Sequence, residues 1–127
     1  MTVLVGFIPT QVGYAALDAA IAEADRRTTS LLILNVVHEG HEGDPRHARP
    51  QDLTYAEEKA REARVRYEIR QVTSSDNFAQ VLIDTAERDD IELVVIGLRR
   101  DREVARHLLG ATAQRVLLSA PCDVLAV

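Results

Sequence analysis

The chain has 127 residues, 46% of them hydrophobic and 28% charged, with a formal net charge of -5 and one cysteine. That length suffices for a single domain with a real core and is too short for two. The acidic balance excludes a general electrostatic pull toward nucleic acid or anionic membranes, no stretch approaches the ~18 apolar residues of a membrane span, and a lone thiol excludes an internal disulfide or a multi-cysteine metal site and fits a reducing, cytoplasmic setting.

In chain order, the start MTVLVGFIPTQVGY has no basic stretch ahead of a long apolar run, so no signal peptide is expected. TVLVGF (2–7) reads as a first strand, apolar enough to be covered on both faces. From 11 to 27, Tyr14, Leu17, Ile21 and Ala24 recur every three or four residues, the spacing of an amphipathic helix. LLILNVV (31–37) is a second buried strand. HEGHEGDPRHARPQD (38–52) holds Gly40, Gly43, Pro45 and Pro50 and little to bury, which predicts a mobile loop.

A short helix over 53–63 precedes VRYEIRQV (65–72), whose imperfect alternation suits an edge strand with one wet face. Ser75 or Asp76 is the expected cap of a helix through Glu87, with Phe78, Val81, Leu82 and Thr85 inward. IELVVIG (91–97) is a buried strand. A helix over 103–119 is expected to bury Val104, Leu108, Ala111, Val116 and Leu117 until Pro121 stops it, and CDVLAV (122–127) is a fifth strand. Strict alternation of strand and helix predicts a Rossmann-like α/β domain, with an open five-stranded parallel sheet in order 3-2-1-4-5 and helices on both faces. Ligands of such sheets sit beyond the carboxyl ends of the strands, where the strand order reverses.

At that rim Gly97 follows a buried strand, two residues separate it from Arg100, nine more lead to Gly110, and Ala111 follows. This spacing, together with VLVGF, LLILNVV, LVVIG and the ending VLLSAPCDVLAV, resembles the universal stress protein family. Its nucleotide-binding members carry Gly, two residues, Gly, nine residues, Gly, then Ser or Thr. The resemblance covers the whole chain. It implies a nucleotide site, where retained, made of Ile8, Pro9 and Thr10 after the first strand, Val36 and Val37 beside the base, Ile96, Gly97, Leu98, Arg99 and Arg100 in the loop, and Gly110, Ala111 and Thr112 beyond it. It also implies a cytoplasmic homodimer joined through the last strand, Val124, Leu125, Ala126 and Val127, acting in stress response through an unidentified protein partner.

The chain departs from the family's pattern in three places. Arg100 stands for the second glycine, where a non-glycine residue in a left-handed conformation costs roughly 1–2 kcal/mol. Ala111 removes the hydroxyl that would reach phosphate, with Thr112 one position later. Ile8 stands where ATP-binding members carry an acidic residue, followed there by Gly-Ser and here by Pro9 and Thr10. Loss of ATP binding is therefore favoured, with no cofactor expected. The alternative is an ATP or AMP sensor in which Arg99 and Arg100 bind phosphate through charge-assisted bonds. Arg102 and Arg106 lie nearby, and Lys59 is the one lysine.

Other chemistry finds little footing. His38, His41 and His47 lie in a loop that no regular element fixes, and they read as loop histidines rather than metal ligands. Cys122 opens a strand and reads as structural. Without a nucleophile elbow, a Walker lysine or a paired acid and base, the reading is a binding protein rather than an enzyme, with weak nucleotide hydrolysis left open.

Overall fold

The structure is a computed structural model, and it describes residues 1–98 and 110–127. Five strands, β1 (Thr2–Gly6), β2 (Ser30–His38), β3 (Tyr67–Ser74), β4 (Ile91–Ile96) and β5 (Asp123–Ala126), alternate with four helices, α1 (Gln11–Arg27), α2 (Pro50–Glu62), α3 (Phe78–Arg88) and α4 (Ala111–Ser119). All pairings are parallel and the order is β3-β2-β1-β4-β5, as the alternation predicts. The strand order reverses between β1 and β4, so the crevice of interest lies beyond their carboxyl ends.

Alternation along each strand splits the core in two. Val3, Val5, Phe7, Ile33 and Val95 face α1 and α2, where Leu17, Ala20 and Ala56 cover them. Leu4, Leu34, Val36, Val94 and Ile96 face α3 and α4, under Leu82, Ala86 and Val116. Strands buried on both faces have to be apolar at nearly every position, which is why β1, β2 and β4 read as runs. β3 and β5 are the two edges of the sheet, and β3 alternates in exposure as its sequence does.

Helix boundaries moved for local reasons. α2 starts at Pro50, three residues before the expected Leu53, because proline suits the first helical position and Asp52 Oδ2 accepts from the Arg49 backbone N–H at 2.9 Å. The cap of α3 is Asn77, not Ser75 or Asp76; its Oδ1 accepts from the Gln80 N–H at 2.8 Å, while Ser74 Oγ takes the Asp76 N–H.

The largest correction concerns α4. Gly110 is its N-cap, extended at φ -62° and ψ 161°, so the helix begins at Ala111 and does not run through from 103. Its buried face is then Ala113 and Val116, and both Ala111 and Leu117, expected inside, are exposed. The expected positions Val104 and Leu108 lie outside the described residues.

The loop after β2 is also better held than its composition suggests. Asn35 is fully buried; its Nδ2 donates to Phe7 O at 2.9 Å and Arg46 O at 3.0 Å, and its Oδ1 accepts from Ala48 N at 3.1 Å and Gln71 Nε2 at 2.9 Å. Gln71 Nε2 also reaches Ala48 O at 2.9 Å, and Ala48 joins the core beneath α1 and α2. Gly40 and Gly43, at φ 77° and 79°, supply the left-handed turns between.

Candidate functional site

The rim is built from the ends of β1 and β4 and from two helix starts. β1 continues past its last residue through a bond from Phe7 N to Leu34 O at 2.8 Å, after which Thr10 N turns back to Ile8 O at 2.8 Å. Thr10 then caps α1, its hydroxyl accepting from Gly13 N at 3.2 Å. That hydroxyl accepts for the cap and keeps its own O–H as a donor, while Ile8 offers no side-chain hydrogen bond.

Two glycines explain how closely these parts approach. A Cβ on Gly13 would stand 1.7 Å from Ile8 O, so the first turn of α1 lies directly on the β1 end. A Cβ on Gly97 would stand 2.3 Å from Val12 Cγ1 and 2.7 Å from Val12 O. Gly97 has no positive φ, so the need for glycine there is space for α1. Gly97 is thus drawn into the packing of the crevice floor. Leu98 is held in line with the sheet, its N–H donating to Val127 O at 2.6 Å while Val127 N donates to Ile96 O at 3.0 Å.

Gly110 differs: among the described residues nothing lies within 4 Å of a Cβ built on it. Gly110 is a cap without a side chain and the first turn of α4 has no acidic residue, so the leading N–H groups of α4 carry the partial positive charge of a helix start that no described side chain caps. α1 likewise has no acid in its first turn. Both helix starts follow strands of the same parallel sheet, so both positive ends belong to the same rim.

The residues expected at the site fall as follows. Ile8, Pro9 and Thr10 form the β1–α1 turn, Val36 and Val37 end β2 with Val36 buried, and Ile96, Gly97 and Leu98 finish β4. Ala111 and Thr112 open α4 after Gly110, both exposed. Arg99 and Arg100, with Arg102 and Arg106, lie outside the described residues. Val124 to Val127 are half-buried along the β5 edge.

Sequence reasoning missed Val12, Gly13 and Asn35. A glycine in the first turn of a helix and a lone amide within LLILNVV were the available signals.

Elsewhere the chemistry is quiet. A cavity of about 370 Å³ lies at the opposite rim, by the amino ends of the strands, between Thr2, Ser30, Arg66, Tyr67 and Asp90. Arg70, which also lines it, is ion-paired to Glu68 at 2.8 Å and Asp89 at 3.0 Å. Burial pushes the Cys122 thiol up, Asp123 adds to the effect, and a thiol held protonated is a poor nucleophile. Among the described residues, no three His, Cys, Asp or Glu side chains are grouped to hold a metal, and no helix is long and apolar enough to cross a membrane.

A doubly wound parallel sheet whose strand order reverses between β1 and β4 defines a Rossmann-like α/β domain. The sequence pattern of the universal stress protein family matches residues 1–127. The chain is 38% identical over 125 residues to a universal stress protein of Mycolicibacterium smegmatis, covering 98% of this chain and 95% of the relative. The chain belongs to the universal stress protein family. Among solved structures it is similar to a universal stress protein in complex with cAMP, with TM-score 0.80, 22% identity, and coverage of 100% of this chain and 96% of the other. It is also similar to a universal stress protein from Archaeoglobus fulgidus in complex with dAMP, with TM-score 0.70, 19% identity, and coverage of 98% and 94%. At those identities the likeness concerns the fold.

Proposed function

We propose that this protein is a regulatory binding domain of the stress response that does not hold ATP in the manner of the family's nucleotide-binding members. The observation that carries the reading is the β1–α1 turn. Where those members resemble one another in an acidic residue, Ile8 has no side-chain acceptor and lies pressed against Gly13. Gly97, the first glycine of the spaced motif, is taken up by Val12. Arg100 and Ala111 depart from the motif in the same direction. The domain acts in the cytoplasm by binding rather than by catalysis, as a homodimer joined along β5. Support for that edge is its position: among the described residues nothing pairs beyond β5, and Leu118 on the neighbouring α4 is 85% exposed. Sedimentation analysis reads the dimer directly.

A second reading is favoured by one observation, the bare start of α4. Gly110, Ala111 and Thr112 present exposed N–H groups that suit a single phosphate, and relatives of the same fold are complexed with cAMP and dAMP. In that reading Arg99 and Arg100 complete an adenine monophosphate site. Calorimetric titration of the wild type and of Arg100→Gly separates the two. The first reading expects no ATP binding by the wild type; the second expects AMP or cyclic AMP to bind and the variant to bind at least tenfold more weakly. Equal affinity of both proteins would end the arginine-dependent site.

A further inference from the structure

The end of β2 and the loop after it carry three histidines in a row of rings, His41, His38 and His47, with both centroid separations at 6.1 Å. His47 has a specific bond: its Nε2 accepts from the His38 backbone N–H at 3.0 Å. A ring nitrogen accepts only when it bears no proton, so this bond requires neutral His47 with its hydrogen on Nδ1. The neighbouring ties, Asn35 to Arg46 O and Ala48 N, and Gln71 to Ala48 O, involve amides that do not titrate. We propose that the His47 ring and residues 40–45 form a pH-operated latch at the end of β2, closed while His47 is neutral and released when it is protonated.

Protonation removes the acceptor, leaves the His38 N–H without its partner and places a cation beside the His38 imidazole. The other charges around His47 stay fixed while this happens. Asp44 is held well below the usual carboxylate range, first by the Arg46 side chain and then by its backbone N–H, and His47 contributes least. Arg46 itself is neutralised by Asp44 at 2.6 Å. From β3, the strand alongside, Gln71, Val72, Thr73 and Ser74 are uncharged. At the start of α2, Arg49 and Asp52 pair at 3.3 Å, and Glu39 and Glu42 are exposed to solvent. Histidine is the side chain that ordinarily changes charge between about pH 5 and 8, so the group that switches here is an imidazole. The Asn35 bonds to Arg46 O and Ala48 N hold in both states, so the motion is confined to the His47 ring and the stretch between Glu39, whose N–H donates to Ser74 O at 3.1 Å, and Arg46.

The test is imidazole nitrogen NMR and amide hydrogen exchange on the full chain at pH 7.5 and 5.5, corrected for the intrinsic rate, with His47→Gln and His47→Ala. At pH 7.5 the spectrum should show His47 Nε2 unprotonated. The protection of the His38 amide should then fall about five- to tenfold at pH 5.5, the factor set by one net hydrogen bond. In His47→Gln the amide oxygen accepts at either pH, and protection should persist; in His47→Ala it should be low at both. A protonated Nε2 at pH 7.5, or an undiminished pH response in His47→Gln, which retains His38 and His41, would overturn the latch.

Discussion

Replacing Gly97 by alanine asks whether the first motif glycine serves packing or only a phosphate. The added methyl would meet Val12 Cγ1 at 2.3 Å and Val12 O at 2.7 Å. A side-chain tip can swing away, but the carbonyl belongs to the first turn of α1, which is itself pressed on Ile8 through Gly13. The turn must therefore shift as a unit, and overpacking of this kind costs about 1–3 kcal/mol. Urea unfolding reads the loss as a lower midpoint at unchanged slope. Gly110→Ala is the matched control: at φ -62°, with no described residue within 4 Å, it should lose only the difference between glycine and alanine as a cap, about 0.5–1 kcal/mol. Adding Val12→Ala to Gly97→Ala should return part of the loss, since the Cγ1 contact goes and the carbonyl contact stays. A Gly97→Ala protein as stable as the wild type, or one less affected than Gly110→Ala, would refute the packing role.

Asn35→Ala removes four hydrogen bonds in the core and leaves Ala48 N without its buried acceptor, so a loss of about 3–5 kcal/mol in urea unfolding is expected. A loss below about 1 kcal/mol would mean that the loop after β2 is not anchored there. Asp52 carries a pH signature. Burial raises its carboxyl, yet the Arg49 backbone N–H, the Arg49 guanidinium and the Tyr14 hydroxyl together outweigh burial and hold it below the ordinary value. Its folded pKa being depressed, the contribution is present above the unfolded value near 3.9 and is lost as pH falls through the folded one. Asp52→Asn should therefore be less stable than the wild type at pH 7, by about 1 kcal/mol for a weakened cap, and the gap should close in acid; a gap independent of pH would contradict this.

Much of the fold was legible because its rules are periodic. Val3, Val5 and Phe7 against Leu4 follow the two-residue repeat of a strand, and alternating runs leave one common topology. What escaped depends on single tertiary contacts. The start of α4 hinges on the backbone angles of Gly110, which a helical repeat running through 103–119 conceals. Asn77 outcompetes Ser75 and Asp76 as a cap only because its oxygen meets Gln80 N. The loop after β2 is rich in glycine and proline, yet a buried amide on β2 and another on β3 fasten it. For the candidate site, the spacing of Gly97 and Gly110 points to the rim beyond β1 and β4, but the sequence gives no sign that Val12 occupies the space beside Gly97. Arg99 and Arg100 lie outside the described residues, so their part in the account rests on binding measurements.

The most direct of these begins with protein purified without added nucleotide, denatured, and assayed for released small molecules by mass spectrometry, then titrated calorimetrically with ATP, AMP and cyclic AMP. The account predicts that no ATP is released and that ATP gives no heat of binding. Stoichiometric ATP in the purified protein, or its binding at micromolar concentration, would contradict it.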